Sequence, residues 1–255
     1  MRPIGFSTGA IAPGNPRLAV EILRSYPTTA VEISALRTNE VKEAISLVQV
    51  WNQCSSCQDE PGNTGSFDLL PTDATRLAFQ DIQLFQYHSF HAPSKWYGFS
   101  ELEFLEQIQP LLKEHWPIIL HPDAITEWEL WQKLGAQIVI ENMDGRKPIG
   151  RTPEELNPIF ARLPQARFCF DIGHAYQIDP TLQLANELLS AYGSRLAEFH
   201  VSLVDEQFYH QPLSTKEVEF YTPILREWRS IPIILETPSC SSEIANQLQL
   251  MSPLV

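Results

Sequence analysis

Imidazoles and carboxylates recur in this sequence at one kind of place, at or just after the end of a short run of β-branched, aromatic or other apolar residues. His91 closes the run Phe85–His91. His121 closes Pro117–His121, Glu141 stands near the end of Gln137–Asn142, and Asp171 closes Arg167–Asp171. His174 comes three residues after Asp171. His200 stands near the end of Leu196–Ser202, His210 comes shortly beyond it, and Glu236 closes Pro232–Glu236. Five of the seven histidines fall in this set. Imidazole together with carboxylate suits Zn²⁺, Mn²⁺ or Fe²⁺, whereas cysteine-rich sets favour zinc or iron–sulfur clusters. Carboxylates gathered in one cleft repel each other, and a divalent cation removes that penalty. The cation also polarises a bound carbonyl, hydroxyl or phosphate.

The runs before these residues must hold them in place. Eight read as strands: Ile4–Ser7, Ala30–Ser34, Phe85–His91, Pro117–His121, Gln137–Asn142, Arg167–Asp171, Leu196–Ser202 and Pro232–Glu236. Helical patterns lie between most of them, over Pro16–Ser25, Asn39–Trp51, Thr72–Phe79, Glu101–Glu114, Ala124–Leu134, Pro153–Leu163, Thr181–Tyr192 and Lys216–Trp228. Ser100 and Glu103 have the spacing of a capping box, and Gly135 is placed to end a helix. Eight alternations in 255 residues match a single (β/α)₈ TIM barrel spanning 1–255. A doubly wound sheet also alternates, but it usually carries a glycine-rich phosphate turn after its first strand. Here that turn is Ser7-Thr8-Gly9-Ala10.

In a barrel the C-terminal strand ends form one face, and active sites are built there. Residues two apart on a strand share a side. Glu141 therefore goes with Val139, Asp171 with Cys169, and Glu236 with Ile234, all able to line the interior. Cys169 reads as core rather than as a ligand. His88 points opposite to His91, toward the helix layer. His115 closes a helical pattern beside Glu114, where a positive charge complements the helix dipole. Glu198 shares a side with His200, and Arg167 with Asp171. This predicts a buried Arg167–Glu198 pair, or Glu198 as the carboxylate behind a metal-binding histidine.

The formal net charge is −13, from 18 Lys+Arg against 31 Asp+Glu. A grip on nucleic acid rests on basic contacts to phosphate, so the expected partner is a small molecule. No apolar run approaches the roughly 18 residues of a membrane span. Met1–Pro13 lacks the apolar stretch of a secretory signal. Four cysteines without such a signal point to a reducing, cytoplasmic setting. The stretch 52–67, rich in Cys, Ser, Gly, Asn and Pro, reads as a flexible loop or insertion. Its Cys54-x-x-Cys57 has no second pair, so two ordinary loop thiols are preferred over half a zinc site or a redox pair. Trp128 and Trp131 share a helix side, for core packing ahead of a subunit contact.

Taken in order, several segments resemble the xylose isomerase-like TIM barrel superfamily. They are Phe90-His91-Ala92-Pro93, Leu120-His121-Pro122, Ile140-Glu141-Asn142-Met143-Asp144, Asp171-Ile172-Gly173-His174-Ala175, Phe199-His200-Val201-Ser202 and Ile234-Leu235-Glu236-Thr237-Pro238. The resemblance runs from the third strand to the eighth. It extends to the sugar phosphate isomerase/epimerase branch and to apurinic endonuclease family 2 (endonuclease IV). Glu141–Lys147, with His200–Ser202 and His210–Ser214, looks like a bacterial branch of the superfamily.

The isomerase branch implies one divalent ion, Zn²⁺ or Mn²⁺, held by Glu141, Asp171, His200 and Glu236. It implies that Glu141 and Glu236 also move protons on a sugar, polyol or sugar phosphate through a metal-stabilised enediolate, and that His174 contacts a substrate hydroxyl. The endonuclease branch implies a trinuclear zinc centre, for which His91, His121, His174 and His210 match additional ligands. The chain departs from that branch at Phe208 and Leu203, where aspartates are expected, with Asp205 as a nearby substitute. Two or three ions and phosphate-ester hydrolysis are thus the alternative to one ion and isomerisation. A sugar- or metal-binding barrel without turnover is a third reading.

Further candidates for substrate contact are His91 and Asn142, which stand among these segments. Arg146 and Lys147 follow the fifth strand and could hold a phosphate or carboxylate, or form a solvated basic turn. Lys95 and Trp96 could wall the substrate or be ordinary loop residues. Glu32, inside an apolar run, would face a substrate hydroxyl or a structural hydrogen-bond partner.

Overall fold

The computed structural model describes residues 1–35, 37–47 and 85–254. Its strands, in chain order, are β1 (Ile4–Ser7), β2 (Ala30–Ser34), β3 (Tyr87–His91), β4 (Ile118–Leu120), β5 (Ile138–Glu141), β6 (Arg167–Asp171), β7 (Leu196–Val201), β8 (Leu203–Val204), β9 (His210–Gln211) and β10 (Ile233–Leu235). Strands β1 to β7 and β10 form a closed barrel, with β10 paired to both β7 and β1. The neighbouring pairs run parallel, as a (β/α)₈ barrel requires. Strands β8 and β9 form a small antiparallel hairpin beyond β7.

All eight candidate strands are present. Those flanked by proline come out shorter than the sequence pattern suggests: Pro117–His121 narrows to Ile118–Leu120, and Pro232–Glu236 to Ile233–Leu235. Proline has no N–H to give to a ladder, so pairing starts after it. His121 and Glu236 then stand just past their strands.

The helical pattern Glu101–Glu114 divides into Glu101–Gln107 and Gln109–Lys113. Pro110 cannot donate to the preceding turn, which breaks the helix there. Ser100 and Glu103 make the expected capping box. The Ala124–Leu134 pattern shortens to Trp128–Gln132 after a 3₁₀ turn at Pro122–Ala124. Asn39–Trp51 is helical over 41–47, after a 3₁₀ turn at Thr38–Glu40. Helices at Ile172–Ile178 and Ser241–Met251 are additional to those the pattern predicts. The Thr72–Phe79 helix, the 52–67 loop, Cys54 and Cys57 lie outside the described residues. Among those residues, no helix is long and apolar enough to cross a membrane.

Side chains on alternate strand positions divide into two populations. Phe6, Ile33, Phe90, Phe168, Phe199 and Leu235 face outward into the main apolar core beneath the helices. A separate small cluster of Ile119, Val139, Cys169 and Ala197 lies apart from it. Cys169 thus faces inward, as its parity predicts, and its sulfur also lies within 4.8 Å of ligand atoms of Glu198 and His200. A register shift between β6 and β7 lets the consecutive residues Ala197 and Glu198 both turn inward. His88 faces outward, its ring 4.2 Å from that of Trp116, and burial holds its imidazole down to about 4. His115 lies just past its helix with φ 57, in the left-handed region, and is exposed.

Candidate metal centre

The C-terminal ends of the barrel strands gather the eight residues singled out by type. Glu141 closes β5 and is 1% exposed at its side chain. Four imidazoles surround it. His91 Nε2 and His121 Nε2 lie 3.1 and 3.2 Å from its Oε2. His174 Nδ1 and His200 Nδ1 each lie 3.4 Å from its Oε1. The two oxygens of one carboxylate thus face two different pairs of histidines.

Asp171 ends β6 and caps the helix Ile172–Ile178, its Oδ1 accepting the His174 N–H at 2.8 Å. The cap starts the helix at once and places His174 one turn in, with Nδ1 3.4 Å from Asp171 Oδ2. Gly173 lets this helix sit against the end of β7. A Cβ there would lie 2.7 Å from the Ser202 carbonyl oxygen. Asn142 braces the same corner. Its Nδ2 donates to the Asp171 carbonyl and its Oδ1 accepts the Asp171 N–H, both at 2.8 Å. Its own carbonyl lies 2.9 Å from His174 Nδ1.

His200 is fully buried on β7. Its Nε2 lies 3.0 Å from Glu32 Oε2 and 3.2 Å from Glu198 Oε1. Tyr87 donates its hydroxyl to the other Glu198 oxygen at 2.6 Å. Of the two expectations for Glu198, the histidine partner is the one observed. Arg167 instead donates its Nε to the Ala136 carbonyl at 2.7 Å, because its long side chain reaches the end of the barrel rather than the interior.

His210 arrives on the β8–β9 hairpin. Its Nδ1 lies 2.8 Å from Ser202 Oγ and 3.6 Å from Glu236 Oε2. Asp205 does not enter the centre. Its Oδ1 accepts the N–H groups of Gln207 and Tyr209, and its Oδ2 accepts from Gln211, so the carboxylate is used in closing the hairpin turn. Phe208 takes the left-handed conformation at φ 64, and its ring lies under the Arg146 guanidinium.

Burial pushes the Glu236 carboxyl up to about 8 and raises that of Asp171. Burial acts the same way on Glu141, but the surrounding imidazoles, His200 first, hold it well below the usual range. The His91 imidazole rises to about 9 despite its burial, because Glu32 and Glu141 lie close. Burial and the neighbouring His174 bring His210 down to about 3.

Glu141, Asp171, His200 and Glu236 each offer one ligand atom within 4.8 Å of the others. The sets His91–His121–Glu141 and Asp171–His174–His210 do so as well. His200 Nδ1 and Asp171 Oδ2 are buried and make no hydrogen bond. Buried ligand atoms without hydrogen bonds, in a close set of imidazoles and carboxylates, fit a divalent ion.

A cavity of about 330 Å³ opens above this cluster, with Ser7, Ser34, His91, His174, His210 and Glu236 in its wall. Arg146 and Lys147 also line it, each already paired. Arg146 binds Asp144 at 2.8 Å, and Lys147 binds Asp123 at 2.8 Å. The remaining substrate candidates stand elsewhere. Lys95 is exposed outside the cavity wall. Trp96 stacks on Trp131, meets Phe104 at a tilt and donates to the Ala124 carbonyl, so its indole belongs to the aromatic packing. Asn142 is taken up by Asp171, and Glu32 lies below the cavity against His200. Ser7, Ser34, Asp144 and Tyr209 were missed. The two serines were findable, since they end the first two strands as the metal-capable residues end the others.

No family model and no curated protein matches this sequence. Solved structures do match in fold. Endonuclease IV from Thermus thermophilus aligns at TM-score 0.55 and 19% identity, over 100% of this chain and 98% of that one. A D-tagatose 3-epimerase-like protein aligns at 0.53 and 17%, over 100% and 97%. A xylose isomerase domain protein from Alicyclobacillus acidocaldarius aligns at 0.53 and 12%, over 100% and 98%.

Proposed function

We propose that this chain, which has the fold of the xylose isomerase-like barrels, is a divalent-metal-dependent isomerase acting on a small sugar. The observation that carries this reading is the placement of Glu236. Its side chain is 17% exposed in the cavity wall, whereas Glu141, in the same wall, is 1% exposed and Asp171, outside it, 0%. Of the carboxylates in the proposed ligand set it is the most exposed to the cavity, which suits a group that must reach a substrate carbon.

Glu141, Asp171, His200 and Glu236 would hold the ion. When bound, Zn²⁺ or Mn²⁺ supplies Lewis acidity toward adjacent substrate oxygens. Glu236 takes the proton from the hydroxyl-bearing carbon next to the carbonyl and returns it to the former carbonyl carbon, while the hydroxyl proton passes to the former carbonyl oxygen. Glu141, enclosed by four imidazoles, serves as the anchor of the ligand set rather than as a second mobile base. His174 and His210, in the cavity wall, orient the substrate hydroxyls. A cavity of about 330 Å³ suits a monosaccharide. Because Arg146 and Lys147 are already paired with carboxylates, an unphosphorylated sugar fits better than a sugar phosphate.

The test is Glu236→Gln. Hydrogen exchange between D₂O and a panel of aldoses and ketoses should fall at least about 100-fold while metal content is kept. Unchanged exchange with unchanged metal content overturns the assignment.

A second reading is favoured by the two oxygens of Glu141 facing separate histidine pairs. Glu141 with each histidine pair would then hold one of two ions, which would supply the Lewis acidity for hydrolysis of a small phosphate ester. Elemental analysis of protein purified without chelator separates the two. One ion per chain supports the isomerase, and two or three support the hydrolase.

A further inference from the structure

The wall of the cavity built by β1 and β2 has no part in the chemistry above. Ser7 ends β1 and Ser34 ends β2, and both side chains line the cavity. They are buried and touch each other, Oγ to Oγ at 2.5 Å. Behind them, Ser34 Oγ donates to Glu32 Oε1 at 3.2 Å. The other Glu32 oxygen lies 3.0 Å from His200 Nε2. The Ser34 N–H donates to Thr8 Oγ1 at 2.8 Å, which fixes the backbone that carries this pair.

These contacts set the direction of the hydrogen bonds. A carboxylate oxygen only accepts, so the single hydrogen of Ser34 goes to Glu32. The Ser34 oxygen then takes the hydrogen of Ser7. Among the described residues, nothing donates to Ser7 Oγ in turn. Ser7 therefore presents a buried, polarised acceptor to the cavity, one that lacks a donor.

We propose that Ser7 and Ser34 form a substrate subsite that accepts a hydroxyl hydrogen of a sugar, with Glu32 setting the direction of the pair. This rests on the reading of the cavity as a sugar site. The donor it requires is an O–H, so the subsite rejects the matching deoxy sugar. The same Glu32 joins this hydroxyl contact to His200, and so ties the seating of substrate to the orientation of a metal-cluster histidine.

The test is calorimetric titration of Mn²⁺-loaded protein with a panel of five- and six-carbon aldoses and ketoses. The monodeoxy forms of the tightest binder follow. In the wild type, one deoxy form should bind about tenfold more weakly than its parent. In Ser7→Ala the parent sugar should weaken by about the same factor, and that deoxy form should lose nothing further. The Mn²⁺ Kd should stay unchanged in Ser7→Ala. Ser34→Ala, which also removes the donor to Glu32, should weaken the parent sugar at least as much. Sugar binding that is the same in Ser7→Ala as in the wild type overturns the subsite and leaves the sugar-site reading standing. A wild-type protein that loads Mn²⁺ but binds no sugar of the panel overturns both.

Discussion

Phe6, Ile33, Phe90 and Phe199 sit on the outward sides of strands whose inward sides carry Ser7, Glu32, Ser34, His91, Glu198 and His200. The outward population is apolar, and each fully buried member contributes about 1.5–3 kcal/mol. The inward population is largely polar, and each member needs a partner to offset its loss of water. One part of the interior is apolar instead, built of Ile119, Val139, Cys169 and Ala197. One sheet thus separates the two tasks: stability lies on the helix side, and chemistry on the axis side.

The largest expected effect lies on the helix side. Phe199→Ala should lower unfolding free energy by about 3–5 kcal/mol in urea melts. The folded fraction should keep its Co²⁺ affinity. A change in affinity would mean the two sides are not separable.

His88 is the polar exception on the outward side. Burial holds its imidazole down to about 4 from 6.5, so the folded protein keeps it neutral while the unfolded chain takes up a proton. Its contribution is complete above pH 6.5 and is lost as pH falls toward 4, for a total of about 3 kcal/mol. Urea melts of His88→Phe between pH 7 and 4.5 should lose this part of the acid slope.

On the axis side the sign should reverse. Glu198→Gln should weaken Co²⁺ binding about tenfold, because the His200 ring loses one of its two carboxylate partners and keeps Glu32. Metal-free stability should be equal or higher, because a buried charge is gone. A destabilised metal-free protein would show that Glu198 serves the fold. Ile119→Val, in the small inner cluster, should cost only about 0.5–1.5 kcal/mol in the same melts and leave Co²⁺ binding intact.

Much of the site was legible along the chain because it is made by topology. A parallel barrel brings every C-terminal strand end to one face, so residues far apart in sequence become neighbours once eight strands are recognised. Period-two parity sorted Cys169 and Val139 into the interior and His88 out of it. Parity also brought Glu198 and His200 to one side, although it left two partners open for Glu198. The partners of long side chains and loop residues were less legible. Arg167 had the right parity but bonds to the Ala136 carbonyl. Trp96 follows His91 closely yet turns into an aromatic cluster. Asp205 stands near the centre in sequence and is taken up by its own turn. Such choices depend on which donors and acceptors the assembled fold leaves nearby.

The sequence alone determined the alternation of strands and helices and the side each strand residue faces, because hydrophobic period and residue type are local properties. It also carried the identity of the metal-capable set at the strand ends. Only the tertiary structure decided that Glu141 would face two histidine pairs, that Glu236 would stay open to the cavity, and that Arg146 and Lys147 would already be paired. It also joined Ser7 and Ser34 through Glu32 to His200. Those outcomes depend on barrel closure and on distances of a few ångströms between separate strands, which no local pattern along the chain encodes.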